Sequence, residues 1–216
     1  MSGEYGGRLI KTPDGMATRP TSQNVREALF NILAPVIAGA VFVDLFAGSG
    51  AVGIEALSRG ARAAVFVDNG RASAGAVRGN LKALGIDGSR ALVLGADLSR
   101  LRAYQIIKSS LAKLGAESAD IAFADPPYGY PGLAALPGDA AGAILSAAGG
   151  LLVVEHSSKT GLPPAAGLFE AYSVKKYGDA GLTFYRGAGA GVGAGVGIGV
   201  GMGMSVGIID NAEDRA

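Results

Sequence analysis

The stretch AVFVDLFAGSGAVGIEALSRG, residues 40–60, decides the fold. It starts as a short apolar run, passes through a loop containing Gly48 and Gly50, and continues with Ile54 and Leu57 at helical spacing. Glycines let a ligand approach the backbone, and the amino end of the following helix can face an anionic group. The stretch therefore predicts the first strand–loop–helix unit of a nucleotide-binding α/β domain.

The alternation of apolar runs and amphipathic stretches continues on both sides of this unit. A helix is predicted after Thr21 or Ser22, either of which can cap it. Later strands are predicted at 63–68, 91–97, 119–128 and 151–156, and helices at about 72–84, 101–115 and 140–147. SVKKYG and LTFYR predict a terminal antiparallel pair. Because parallel neighbours need crossover connections, this order predicts a Rossmann-like, mainly parallel seven-stranded sheet with helices on both faces and a C-terminal antiparallel strand.

Length and composition limit the domain organisation. The 216 residues have room for one such domain, expected at 21–186, preceded by an arm or hairpin at 1–20. Residues 187–216 form a glycine-rich tail without charge until Asp210. The tail is long enough to cross a bilayer, but so much glycine opposes a helix, so a disordered low-complexity tail is favoured over a membrane span.

Charge and cysteine content exclude several classes of protein. The absence of cysteine excludes disulfides, thiolate zinc sites and cysteine nucleophiles. A net charge of +1 gives no overall basic character, so any surface that binds nucleic acid must be local. The start of the chain lacks the apolar core of a secretory signal, which favours the cytoplasm. The candidate cations for nucleic acid near the start of the chain are Arg8, Lys11, Arg19 and Arg26.

Carboxylates around the glycine loop indicate the cofactor. Gly48, Gly50 and Gly53 satisfy GxGxxG, so a nicotinamide-binding domain is a possible interpretation of the motif alone. However, Asp44 before the loop can bind the ammonium of S-adenosylmethionine and would repel a pyrophosphate. Asp68 can accept ribose hydroxyls, and Asp97 either accepts the adenine amino group or caps a helix. The predicted donor-binding residues are Asp44, Phe46, Gly48, Ser49, Gly50, Asp68, Asn69 and Asp97.

The tetrapeptide Asp125-Pro126-Pro127-Tyr128 follows strand four and is predicted to be catalytic. An exocyclic amine on a base is a weak nucleophile because its lone pair is delocalised, so acceptors must hold its hydrogens. The Asp125 carboxylate and the Pro126 carbonyl can do this, and the prolines stiffen the backbone. Tyr128 can stack on the base. His156, the single histidine, is expected to be structural.

These motifs resemble the bacterial methyltransferases that modify a guanine N2 in 16S ribosomal RNA. The resemblance covers KTPDGMATRPTSQNVREALFNIL at 11–33, DLFAGSGAVGIEALSRGA at 44–61, DPPY at 125–128 and YGDAGLTFY at 177–185. It implies a class I fold, S-adenosylmethionine as donor, and a guanine of small-subunit ribosomal RNA as acceptor. The N-terminal stretch is shorter and less basic than in that family, and the glycine-rich tail lies outside its pattern.

Two other functions use the same residues. One is a DNA adenine-N6 or cytosine-N4 methyltransferase, although the chain has little room for a target-recognition region. The other is a non-catalytic RNA-binding assembly factor, which would not require Asp125 or Tyr128. The favoured function is an rRNA methyltransferase that acts on ribosomal RNA or the small ribosomal subunit, as a monomer, without a metal and without a membrane.

Overall fold

A computed structural model describes residues 2–12 and 23–187. Residues 2–12 form turns and extended backbone, and thirteen helices and strands follow from Gln23 onward. The helices are α1 (Gln23–Leu33), α2 (Ala51–Ser58), α3 (Arg71–Ala83), α4 (Leu101–Lys113) and α5 (Leu136–Ile144). The strands are β1 (Val41–Leu45), β2 (Ala63–Asp68), β3 (Ala91–Gly95), β4 (Ile121–Ala124), β5 (Leu151–Ser157), β6 (Ala165–Ala166), β7 (Phe169–Tyr177) and β8 (Ala180–Gly187).

All the strands belong to one sheet with the order β3-β2-β1-β4-β5-β8-β7-β6. The first five are parallel, whereas β8 is antiparallel to both β5 and β7. The order reverses at β1, since β2 lies on one side of it and β4 on the other. In an open parallel sheet, ligands bind at such a switch point, beyond the carboxyl ends of the strands.

Alternate residues of each central strand face opposite sides of the sheet. On β1, Val41, Val43 and Leu45 join a core cluster with α4 and α5, whereas Phe42 joins a second cluster with α1, α2 and α3. Each cluster is buried between one face of the sheet and its helices. Helices therefore cover both faces, and the predicted class I α/β fold is confirmed.

The fold differs from the sequence prediction in two elements. The sheet has eight strands rather than seven, because Ala165–Ala166 pairs with the start of β7. Helix α5 runs from Leu136 to Ile144 rather than over 140–147. It ends early because Leu145 adopts an extended conformation and forms a parallel bridge with Ala119. Pro137, in the first turn of α5, was a start signal that the sequence prediction did not use.

The ends of the chain are described only in part. No strand forms within residues 2–12, so the described part of the arm is not a hairpin. Gly187, predicted to begin the tail, instead completes β8, where it pairs with Phe169. Thr21, Ser22 and the rest of the predicted tail lie outside the described residues. Among residues 2–12 and 23–187, none of the helices has the length and hydropathy of a membrane span.

Candidate active site

The loop between β1 and α2 bends sharply at three successive points. Phe46 has φ 63°, the single positive φ of a non-glycine residue in the described ranges, and Gly48 and Gly50 have φ 54° and 80°. Gly53 serves packing, because a Cβ there would lie 2.3 Å from the Phe66 ring on β2. The loop is therefore fixed by its own geometry and by close contact between α2 and the sheet.

Asp68 at the end of β2 holds the backbone of two loops. Its Oδ2 accepts the N–H of Gly48 at 2.9 Å, and its Oδ1 accepts the N–H of Gly70 at 2.7 Å. One carboxylate thus joins the glycine loop to the start of α3. Each of its oxygens retains lone pairs that can accept from a ligand hydroxyl.

Asp44 is a buried carboxylate on β1, with 2% of its surface exposed. Its Oδ2 accepts the N–H of Gly53 at 2.8 Å, and it forms no ion pair among the described residues. Burial raises the pKa of Asp44 to about 7; the Gly53 N–H opposes this shift, and the charges of Asp125 and Asp68 add to it. The carboxyl groups of Asp68 and Asp125 therefore act on that of Asp44 at this end of the sheet. Such a concentration of acidic groups favours a cationic ligand and disfavours a pyrophosphate.

The acidic tetrapeptide lies beside this loop. Strand β4 pairs with β1, and the N–H of Asp125 approaches the Leu45 carbonyl at 3.4 Å. A turn follows in which the N–H of Tyr130 bonds the Pro127 carbonyl at 3.0 Å and Gly129 has φ 74°. The prolines and this turn fix the direction of the chain as it leaves β4. Tyr128 projects outward, with 69% of its surface exposed.

One cavity of about 520 Å³ joins the two loops, a volume within the range of small-molecule sites. Asp125, Pro126, Pro127 and Tyr128 line it, as do seven of the predicted donor-binding residues: Asp44, Phe46, Gly48, Ser49, Asp68, Asn69 and Asp97. Gly50 does not line it. Instead, Gly50 is the N-cap residue just before α2, and a Cβ there would lie 3.2 Å from Val77. The structure thus brings both predicted groups of residues to one cleft.

Both carboxylate oxygens of Asp97 accept hydrogen bonds from residues close to it in the sequence. Its Oδ1 accepts the N–H of Ser99 at 3.0 Å and the Ser99 hydroxyl at 2.7 Å, and its Oδ2 accepts from Arg100 Nε at 3.2 Å. The Ser99 hydroxyl, with these other donors, lowers the pKa of Asp97. The expected helix cap does not form, because α4 begins at Leu101 with Arg100 in the N-cap position. Asp97 instead holds the turn before α4, and it also lines the cavity.

Several lining residues had no clear signal in the sequence. Phe46 and Tyr130 meet edge to face with ring centroids 5.1 Å apart, so Tyr130 closes one side of the donor loop. His156 also lines the cavity, and its Nδ1 lies 2.8 Å from the Ser157 carbonyl and its Nε2 2.7 Å from the Thr183 hydroxyl. Both ring nitrogens have partners, which suits a structural role. The other lining residues without a prediction include Thr12, Glu155, Ser157, Thr160 and Tyr177.

The predicted RNA-binding cations are dispersed. Arg8 and Lys11 are exposed but do not line the cavity. Arg26 does line it, with a side chain 20% exposed and its Nε 3.8 Å from the buried carboxylate of Glu55. Arg19 lies outside the described residues. Within the described ranges, no group of three or more acidic or histidine side chains could hold a metal ion.

Comparison with known proteins identifies the family. The family described as "Conserved hypothetical protein 95" matches residues 1–186. The chain belongs to this family. A curated relative, "Putative rRNA methyltransferase YlbH" of Bacillus subtilis, is 35% identical over 189 residues, which cover 88% of this chain and 98% of that protein. "Ribosomal RNA small subunit methyltransferase D" of Escherichia coli K12 is 40% identical over 128 residues, or 59% of each chain.

A similar solved structure has the same fold. "Putative methyltransferase yhhF from Escherichia coli" superposes with a TM-score of 0.69 and 32% identity, covering 87% of this chain and 96% of that one. The family resemblance seen in the sequence is therefore confirmed. The protein has the class I methyltransferase fold and belongs with these methyltransferases, and the acidic cleft at the switch point fits a cationic donor.

Proposed function

We propose that this protein transfers a methyl group from S-adenosylmethionine to the exocyclic N2 of a guanine in 16S ribosomal RNA. The observation that carries the proposal is the single cleft lined by Asp44, Gly48, Asp125 and Tyr128. Donor-binding and base-binding groups would then face each other across a short distance. The names of two relatives support the choice of acceptor: one is a putative rRNA methyltransferase and the other a ribosomal RNA small subunit methyltransferase.

The donor would be held by the first two strand ends. Asp44 would accept the ammonium of the methionine part, since a buried carboxylate without a cationic partner in the described chain gains most from such a contact. Asp68 would accept ribose hydroxyls while holding the Gly48 backbone. Ser49, Asn69 and Asp97 would complete the pocket. When bound, S-adenosylmethionine supplies an electrophilic methyl group on a positively charged sulfur.

The acceptor would be held by the corner after β4. The Asp125 carboxylate and the Pro126 carbonyl would accept the two N–H bonds of the guanine amine and direct its nitrogen at the methyl group. Pro127 keeps the backbone of this corner rigid. The proton lost after transfer would pass to solvent directly or through Asp125. Because the amine requires positioning more than deprotonation, the chemistry needs no metal.

Base recognition would use Tyr128 and the cations near the cleft. The exposed face of Tyr128 lies at the cavity, where a flipped base could stack on it. Arg26 lies at the cavity, and Arg8 and Lys11 are exposed on the N-terminal segment. We infer that these cations, with Arg19, contact RNA phosphates. We predict that the protein acts in the cytoplasm, as a monomer, on ribosomal RNA or the small ribosomal subunit.

The proposal is tested by mapping modified nucleotides in ribosomal RNA from a strain that lacks this gene. Mass spectrometry should show that one N2-methylguanine of 16S RNA is missing, and the wild-type gene should restore it. A copy with Asp125→Ala should not restore it. An unchanged 16S pattern in the deletion strain would refute the substrate, and a missing adenine or cytosine methylation in DNA would favour the DNA enzyme instead.

A further inference from the structure

Asn80 in α3 joins two segments that line or approach the cleft. Its side chain is buried, with the residue 4% exposed. The Oδ1 accepts the Lys11 N–H at 3.0 Å, while Nδ2 donates to the Lys11 carbonyl at 2.9 Å and to the Ser49 carbonyl at 2.9 Å. The amide thus uses both of its N–H bonds and its oxygen on backbone groups of other segments.

The two segments joined by Asn80 both reach the cavity. Ser49 belongs to the glycine loop, and Thr12, next to Lys11, also lines the cavity. Asn80 bonds both the N–H and the carbonyl of Lys11, as the backbone of a neighbouring strand would, while the Lys11 side chain stays exposed. Asparagine is less favourable than alanine inside a helix, so the helix itself does not account for it. The contacts of Asn80 indicate instead that it links the N-terminal arm, at Lys11, to the glycine loop, at Ser49.

A separate anchor holds the beginning of the same arm. The N–H of Glu4 bonds the Ser58 carbonyl at 2.8 Å, and the N–H of Tyr5 bonds the Ser58 Oγ at 2.8 Å. Ser58 lies at the end of α2 and does not line the cavity. Ser2 also bonds Glu55, and Arg90 contacts Glu4 and Tyr5. Among these attachments of the arm, that of Asn80 is the one that also contacts the glycine loop.

We propose that Asn80 is a positioning residue that couples donor binding at the glycine loop to the placement of residues 8–12. A donor that fixes the Ser49 backbone also fixes the Asn80 amide, which then holds Lys11 more firmly. Such coupling is reciprocal, so a docked arm strengthens donor binding by the same factor. On the proposed function, the coupling would present Arg8 and Lys11 to RNA preferentially when the donor is loaded.

The test compares three full-length proteins: the wild type, Asn80→Ala and the control Ser58→Ala. Amide hydrogen exchange at Lys11 is measured with and without S-adenosylmethionine, and the donor Kd is measured by calorimetry. In the wild type, the donor should slow exchange at Lys11 by about 3- to 10-fold, which corresponds to one ordinary hydrogen bond. Asn80→Ala should abolish this response and weaken donor binding by a similar factor. Ser58→Ala should speed exchange at Tyr5, whose N–H bonds the Ser58 hydroxyl, and leave the Lys11 response unchanged.

Two results would overturn the coupling. One is exchange at Lys11 that ignores the donor in the wild type; the other is a Ser58→Ala protein that loses donor affinity as much as Asn80→Ala does. If Asn80→Ala does not fold, Asn80→Asp serves instead, because it keeps the acceptor for Lys11 but cannot donate to Ser49. The proposed function fails separately, since it would show as absent rRNA methylation by the wild type.

Discussion

Replacing Asp44 with asparagine tests two effects of this buried carboxyl group separately: its effect on the free energy of unfolding and its proposed contact with the donor. Burial raises the pKa of Asp44 from 3.8 to about 7, against the opposing Gly53 N–H and with added repulsion from Asp125 and Asp68. The folded protein therefore holds this proton more tightly than the unfolded chain does. The stability contributed by protonated Asp44 is fully present below about pH 4 and is lost as the pH rises through about 7.

The size of this loss follows from the two pKa values. Between pH 5 and pH 8, wild-type protein without donor should lose about 2 to 3 kcal/mol of unfolding free energy through this one group. Asparagine has nearly the same shape, retains an oxygen that can accept the Gly53 N–H, and does not ionise. Asp44→Asn should therefore gain stability relative to the wild type by that amount over the same pH range.

Urea unfolding at pH 5, 6, 7 and 8 without donor measures the difference, and calorimetry measures donor binding by the same proteins. Asp44→Asn should be the more stable protein at pH 8 yet bind S-adenosylmethionine at least about 10-fold more weakly, because a charged hydrogen bond is lost. Asp87→Asn is the control, since Ser89 and other local donors lower the pKa of the exposed Asp87. Parallel stability curves for Asp44→Asn and wild type would refute the burial argument, and unchanged donor affinity would refute the ammonium contact.

Other substitutions test other parts of the site. Asp68→Asn has one acceptor oxygen instead of two, so it can no longer accept the N–H groups of both Gly48 and Gly70. Calorimetry should show about 10-fold weaker donor binding, and wild-type affinity would contradict this. Gly53→Ala should cost about 1 to 3 kcal/mol in urea unfolding because its Cβ would meet Phe66, whereas Gly75→Ala, with open space around it, should not destabilise. Tyr128→Ala should raise the KM for RNA by about 5- to 100-fold, and Tyr128→Phe should not; equal effects would argue against stacking.

The central part of the fold and of the site could be predicted from the sequence because each signal was local and strong. The apolar runs of β1 to β5 are short and continuous, as buried parallel strands are. The glycine loop after β1 and the acidic corner after β4 then meet, because the ends of adjacent parallel strands lie together. That argument placed Asp44, Asp68 and Asp125 around one cavity, while their individual roles stay predictions.

The remainder depended on contacts between distant segments. The link through Asn80 joins residues 69 and 31 positions away, and no local pattern in α3 indicates it. His156 and Glu155 reach the cleft because β5 lies next to β4, but neither belongs to a motif. Strand β6 has two residues, too few for a periodic signal, and α5 ends where tertiary pairing of Leu145 overrides its helical sequence.

The most direct test of a shared cleft is single-turnover methyl transfer to 16S ribosomal RNA by Asp125→Asn, measured beside its donor Kd. Because Asp125 is assigned to the acceptor, methyl transfer should fall by at least about 100-fold, while S-adenosylmethionine binds within about 3-fold of the wild type. Transfer at the wild-type rate, or loss of donor binding equal to the loss of transfer, would contradict the placement of donor and guanine on opposite sides of this cavity.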